Sequence, residues 1–173
     1  RRTDPTEHGL EGDTWPDRPC QLSEPVVEFS TKYEQSDRYL SRDEADTIAG
    51  EADVDTLESI ALEVNRLLTD RADTVGMTHQ DGKIECLYYQ GDGRGADVVG
   101  TFDENRFAYE GQQLSKEVLR QYHKRTQPEW VQAVDAAKTR AKADDVADWK
   151  ARCEQRPEPL DQEVIEIARD MYA

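Results

Sequence analysis

DGKIECLYYQGDGRGADVVGTFDENRF, residues 81–107, is the segment from which the rest of the chain is most easily read. Ile84, Cys86, Leu87, Tyr88 and Tyr89 give residues 83–89 the composition of a β-strand. Gly91-Asp92-Gly93 reads as a turn, because glycine and aspartate tolerate positive φ. Ala96, Val98 and Val99 then make a returning strand. Glu85 and Asp97 stand twelve residues apart, one on each arm. A hairpin with an odd-length loop centred on Gly91 places them opposite each other on one face. Like charges so placed repel unless something positive lies between them. A hydrated Mg²⁺ carrying nucleotide phosphates would serve, since Mg²⁺ takes one or two carboxylates plus phosphate oxygens. From spacing alone, the alternative is a solvated pair of exposed acids.

The 173 residues suit one domain with a core of useful size. No run of about 18 apolar residues is present, so no membrane-spanning helix is expected. The opening, Arg1-Arg2-Thr3-Asp4, has neither a methionine nor an apolar h-region and reads as the middle of something longer. Three cysteines, Cys20, Cys86 and Cys153, are an odd number without metal-ligand spacing. They read as reduced thiols of a cytoplasmic protein. His8, His79 and His123 are too dispersed to suggest a ligand pair. The 38 acidic and 22 basic residues leave a net charge of −16, which argues against free nucleic acid or anionic membranes as partners. Acids spread along the whole chain, with 15 Arg against 7 Lys, suggest a halophilic cytoplasm. There screening confines repulsion to about 3 Å at 1 M salt. An ordinary acidic protein is the competing reading.

Residues 1–25 read as a loop-rich lead-in, with Trp15 as an anchor, and residues 26–173 as the folded body. Pro25–Thr31 reads as a short strand. Ser41 and Glu44 have capping-box spacing at the start of a short helix that Gly50 stops. Leu57, Ile60, Ala61, Val64, Leu67, Leu68 and Val75 recur at helical spacing; Asp55 and Glu58 fit a cap at the start, and Gly76 closes the helix. Thr101–Gln112 reads as a long loop containing Asp103, Arg106 and a Gly111 hinge. A helix begins near Ser115, with Lys116, Arg120 and Lys124 on one face. Lys116 in its first turn opposes the helix dipole, a conflict that a bound anion would relieve. The stripe could equally pair with neighbouring acids. From Pro128 onward the chain reads as helical, broken at Pro157-Glu158-Pro159. The fold class expected is α+β, a small antiparallel sheet packed by helices.

Several segments together resemble one family. EPVVEFSTKYEQSDRYLS, the helix containing EVNRLL, DGKIE, DVVGTFDENRF and YEGQQLSKEVLRQYHKRTQPEW run in the order found in the phosphoribosylaminoimidazole-succinocarboxamide synthases, or SAICAR synthetases. The likeness is greatest to haloarchaeal versions, and to the C-terminal lobe. The resemblance implies an ATP-dependent ligase of purine biosynthesis. Its substrates would be ATP, carboxyaminoimidazole ribonucleotide and L-aspartate, and its products SAICAR, ADP and phosphate. Phosphorylation of the ribonucleotide carboxylate, followed by attack of the aspartate amine, makes the protein's task one of positioning and charge neutralisation. A homo-oligomer is compatible with it.

By the same resemblance, Glu85 and Asp97 fall on two nucleotide–Mg²⁺ carboxylates, and Lys83 on a lysine expected near the phosphates. Lys83 and Asp103 take catalytic positions. Lys32, Glu85 and Asp97 would bind ATP, and Asp37, Glu85 and Asp97 the metal. Arg106, Lys116 and Arg120 would bind the ribonucleotide, Arg106 within a motif where Asn105 replaces the usual serine. Asp97-Val98 departs from the family's frequent Asp-Glu. The family's N-terminal β-lobe, with its Gly-Lys-x-Lys stretch, has no counterpart in these residues. Neither has its Arg-Asn-Arg…Gly-Ser segment, and Arg1 and Arg2 would lie just beyond that. A non-catalytic remnant, a lobe that works only with a partner, and an acidic scaffold without a ligand site are the other readings.

Overall fold

The computed structural model describes residues 4–8, 10–12, 14–18, 20–32, 34, 37–146 and 148–172; Arg1 and Arg2 lie outside them. In chain order the elements are a 3₁₀ turn Pro5–His8, β1 (Phe29–Ser30), β2 (Tyr39–Leu40), α1 (Arg42–Ala49) and α2 (Val54–Asp73). Then come β3 (Thr78–Gly82), β4 (Cys86–Tyr89), β5 (Asp92–Gly95), β6 (Asn105–Tyr109) and β7 (Gln112–Leu114). α3 (Glu117–Thr126), α4 (Pro128–Ala143), a 3₁₀ turn Trp149–Arg152 and α5 (Gln162–Tyr172) complete the described chain. This is an α+β fold with small antiparallel sheets. Its residues form two compact units, Arg1–Arg71 with Lys83–Val99, and Ala72–Gly82 with Gly100–Ala173.

In the first unit, β1 and β2 form a two-residue antiparallel ladder, Phe29 opposite Leu40 and Ser30 opposite Tyr39. Ser41 caps α1 as its spacing predicts: its hydroxyl accepts from the Glu44 N–H, and Glu44 accepts from the Ser41 N–H. Gly50, at φ 61°, ends that helix. The start of α2 falls slightly earlier than the sequence suggests. Asp53, not Asp55, supplies the cap, accepting from the Asp55 N–H at 3.1 Å and the Thr56 hydroxyl at 2.6 Å. Arg42 ties α1 to α2 by pairing with Asp55 and, at 2.9 Å, with Glu58. Ala45 and Val54 are buried here.

β4 and β5 make the expected hairpin, but its turn is displaced. Tyr89 pairs with Asp92, so the loop is the two residues Gln90-Gly91, both at positive φ (54° and 89°). Two-residue loops of this kind match the twist of the flanking strands. As a result Asp92–Gly95, not Ala96–Val99, forms the returning strand, and Val98 and Val99 are exposed. A Cβ built on Gly93 would stand 3.5 Å from Leu57, so the hairpin backbone lies against α2.

In the second unit, Gly76 at φ 74° terminates α2 as expected. The Gly76 N–H donates to Asp73 and the Met77 N–H to Ala72, a paired C-terminal motif. The sheet here is three-stranded, in the order β3-β6-β7. Its central strand, β6, lies where the sequence suggested a loop. Asn105 and Phe107 point inward and are buried, while Arg106 is exposed, the alternation of a half-buried strand. Gly111 is not a hinge but the second residue of a two-residue turn, Glu110 at φ 48° and Gly111 at 81°. Ala137 and Ala141 of α4 and Tyr122 of α3 are also buried. The break before α5 falls at the two prolines, as expected. Among the described residues no helix is long and apolar enough to cross a membrane.

Candidate functional site

The expected site residues fall into two groups, one in each unit. In the first, Lys32 follows β1 and Glu85 precedes β4. Lys32 Nζ donates to Glu85 Oε1, and Lys83 Nζ stands 3.2 Å from the same oxygen. The Lys32 hydrogen bond first, and that of Lys83 second, hold the Glu85 carboxyl below its usual range. The chain folds this way locally because the β1–β2 pairing extends outward: the Thr31 N–H donates to the Arg38 carbonyl at 3.0 Å, and the Arg38 N–H to the Thr31 hydroxyl at 3.2 Å. Lys32 and Asp37 flank that pair within the connection, and Asp37 is exposed.

Asp97 does not stand directly across from Glu85. The Ala96 N–H donates to the Glu85 carbonyl at 2.8 Å, carrying the Cys86–Gly95 register one step outward. That register makes Ala96 the neighbour of Glu85 and sets Asp97 one position beyond. The cause is the even, two-residue loop; the odd loop expected from sequence would have opposed the two acids. The Asp97 carboxylate accepts from the Val98 N–H at 2.7 Å. Among the described residues no three His, Cys, Asp or Glu side chains gather around one point. Asp37, Glu85 and Asp97 therefore form no three-carboxylate cage. Hard carboxylate oxygens beside lysines fit a Mg²⁺ ion that arrives with phosphate oxygens better than one held by protein alone.

In the second unit, Arg106 and Asp81 meet across β3 and β6. Arg106 Nε donates to Asp81 Oδ1 at 2.7 Å, and Nη2 donates to Oδ2, a two-pronged pairing. A register shift makes this contact. His79 pairs with Phe107, Asp81 with Arg106, and Gln80 is the extra residue between. Beneath it the buried Asn105 amide oxygen lies 3.1 Å from His79 Nε2, and the Asn105 nitrogen donates to the Thr101 carbonyl at 3.1 Å. A Cβ on Gly82 would collide with that amide oxygen, so any larger residue there would have to displace the Asn105 side chain.

Asp103 lies in the turn before β6 and accepts from the Tyr172 hydroxyl at 2.8 Å. The basic stripe of α3 has acidic neighbours. Lys116 stands 3.5 Å from Glu104, and Arg120 2.5 Å from Glu117, whose carboxyl is held below its usual range chiefly by Arg120. Ser115, fully buried, accepts from the Glu117 N–H at 3.2 Å. Two of the three stripe cations, Lys116 and Arg120, thus stand beside acids. Asp81, Glu104 and Tyr172 are further neighbours of candidate residues. Only Asp81 offered a signal, its place in Asp-Gly-Lys-Ile-Glu; Tyr172 is 69 residues from Asp103 and offered none.

Comparison with known proteins places the sequence in a family. The family model described as SAICAR synthetase matches residues 17–137. An Archaeoglobus fulgidus protein, provisionally named as a phosphoribosylaminoimidazole-succinocarboxamide synthase, is 36% identical over 155 residues, 88% of this chain and 44% of its own length. The phosphoribosylaminoimidazole-succinocarboxamide synthase of Thermoplasma acidophilum is 35% identical over 135 residues, 72% of this chain and 45% of its own. That of Thermoplasma volcanium is 33% identical over 115 residues, 60% of this chain and 39% of its own. The chain thus spans less than half the length of these relatives. No solved structure matches it. With the match covering β1 through most of α4, the chain belongs to the SAICAR synthetase family.

Proposed function

We propose that this chain carries the nucleotide and ribonucleotide contacts of an ATP-dependent ligase of purine biosynthesis. The reaction joins L-aspartate to carboxyaminoimidazole ribonucleotide and yields SAICAR, ADP and phosphate. The observation that carries this reading is the convergence of Lys32 and Lys83 on Glu85. Two ammonium groups around one carboxylate suit a ligand that brings both phosphate oxygens and a divalent cation. The phosphates would take the lysines. Glu85 and Asp97, with Asp37, would hold Mg²⁺, which supplies charge neutralisation for the phosphoryl oxygens. Lys83 then stabilises negative charge on the transferred group, and Asp103 acts at the reacting end of the ribonucleotide. Arg106, with Lys116 and Arg120, would bind the ribonucleotide, using a guanidinium that Asp81 already orients.

The test is ADP release with ATP, Mg²⁺, the ribonucleotide and aspartate in molar potassium chloride. Residues 1–173 are assayed beside the same chain extended upstream. The extended protein is expected to turn over and the short one to lag by roughly 10²–10³ or more, the cost of losing even one preorganised donor. Equal turnover by both would show that all catalytic groups lie within residues 1–173. Turnover by neither, with nucleotide binding intact, would support a non-catalytic, partner-dependent lobe.

A further inference from the structure

Asp103 receives a hydrogen bond from the opposite end of the second unit. Tyr172, in the last turn of α5, donates its hydroxyl to Asp103 Oδ1 at 2.8 Å. Its ring meets Phe102 edge to face with centroids 5.5 Å apart, and Phe102 meets the buried Phe107 in the same manner at 5.6 Å. Tyr172 is therefore placed by two separate contacts on one turn, a ring on Phe102 and a hydroxyl on the next residue. Burial first, and Asp103 second, push the phenol above its ordinary value.

The other end of α5 is tied in the same way. Tyr122 of α3 donates to Asp161 Oδ2 at 2.8 Å, and the Asp161 carbonyl accepts from the Ile165 N–H in the first turn of α5. Between these ends α5 buries none of its residues. The helix is thus held by a tyrosine–aspartate bond at each end. One end reaches α3, which carries Arg120, and the other reaches the turn that carries Asp103.

We propose that Tyr172 is a positioning residue for Asp103, and that α5 is a strap linking the basic helix α3 to the acidic turn. The proposal rests on the ligase reading, in which Asp103 acts at the ribonucleotide. An exposed aspartate in a turn samples several rotamers. A hydroxyl donor on Oδ1 selects one of them and leaves the other oxygen for a substrate group.

Two variants separate position from packing. Tyr172→Phe keeps the ring and removes the hydroxyl; Asp103→Ala removes the acceptor. In the 173-residue chain with ¹³C-labelled tyrosine, the Tyr172 resonance is assigned by its loss in Tyr172→Phe. Its titration is expected to move to lower pH in Asp103→Ala. In the full-length protein, Tyr172→Phe is expected to lower kcat roughly 10- to 100-fold. The KM for ATP and the melting temperature should stay unchanged. A phenol titration indifferent to Asp103→Ala overturns the proposal. So does an unchanged kcat, or a kcat loss matched by a fallen melting temperature. If the parent protein has no ligase activity, the functional reading fails and takes the proposal with it, and a shifted phenol then marks a structural contact only.

Discussion

Two hairpins in this chain turn in the same way and are anchored differently. Gln90-Gly91 joins β4 to β5 and Glu110-Gly111 joins β6 to β7, each pair at positive φ. The second hairpin buries Asn105 and Phe107. The first buries none of its strand residues and leaves Leu87, Tyr88 and Tyr89 exposed. Each carries one group of candidate residues: Glu85 and Asp97 at the open end of the first, Arg106 within the second. The same loop geometry thus occurs in one hairpin with buried side chains and in one without. The Arg106 group sits on a strand with buried side chains, while the Glu85 group is fixed by charge, by backbone pairing and by the hairpin backbone at Gly93 lying against α2.

The largest expected effect breaks that comparison directly. Phe107→Ala removes the buried side chain against Phe102 and His79, and should cost about 3–5 kcal/mol in urea denaturation. Leu87→Ala on the exposed strand should cost about 0.5 kcal/mol or less. Equal costs would mean that the Leu87 side chain has a core contact.

Acid should distinguish the two regions next. The folded-state pKa of Glu85 lies below its ordinary 4.5, so the ionised form favours the folded chain. That contribution is present in full above 4.5 and is lost as pH falls through the lowered value. The stability gap between the parent and Glu85→Gln should therefore shrink as the pH of urea titrations drops below 4.5. A gap that widens in acid would contradict the lysine pairing. The smallest effects sharpen the likeness of the turns. Gln90→Gly and Glu110→Gly each relieve a non-glycine residue at positive φ, and each should change stability by less than about 1 kcal/mol. A larger loss in one would show that its side chain holds that hairpin.

The same contrast explains what could be read from the sequence. Helices announced themselves because their signals are local: Ser41 with Glu44, the apolar stripe from Leu57, and the stops at Gly50 and Gly76. The family motifs brought Lys32, Lys83 and Glu85 together on paper, and the fold gathers those three. The strand β6 was hidden because its inward residues include Asn105, whose burial depends on His79 and Gly82 from another strand. The Glu85–Asp97 register was hidden because Gln90 is an unusual residue for the first turn position, so the glycines and Asp92 drew the turn toward Gly91–Gly93 and set the pairing of Glu85 off by one residue. The Asp81–Arg106 pair needs a bulge at Gln80, and Tyr172–Asp103 a long return of the chain; neither has a local signature.

In the proposed function the open end of the β4–β5 hairpin binds a Mg²⁺–nucleotide. Isothermal titration of the full-length protein with ATP, in Mg²⁺ and molar potassium chloride, tests it most directly when the parent is compared with Asp97→Asn. Loss of one hard, charged oxygen should weaken Mg²⁺–ATP binding by about 1–3 kcal/mol, and little or no weakening is expected when Mg²⁺ is left out. Unchanged Mg²⁺–ATP affinity in Asp97→Asn, with the fold intact, would contradict the account.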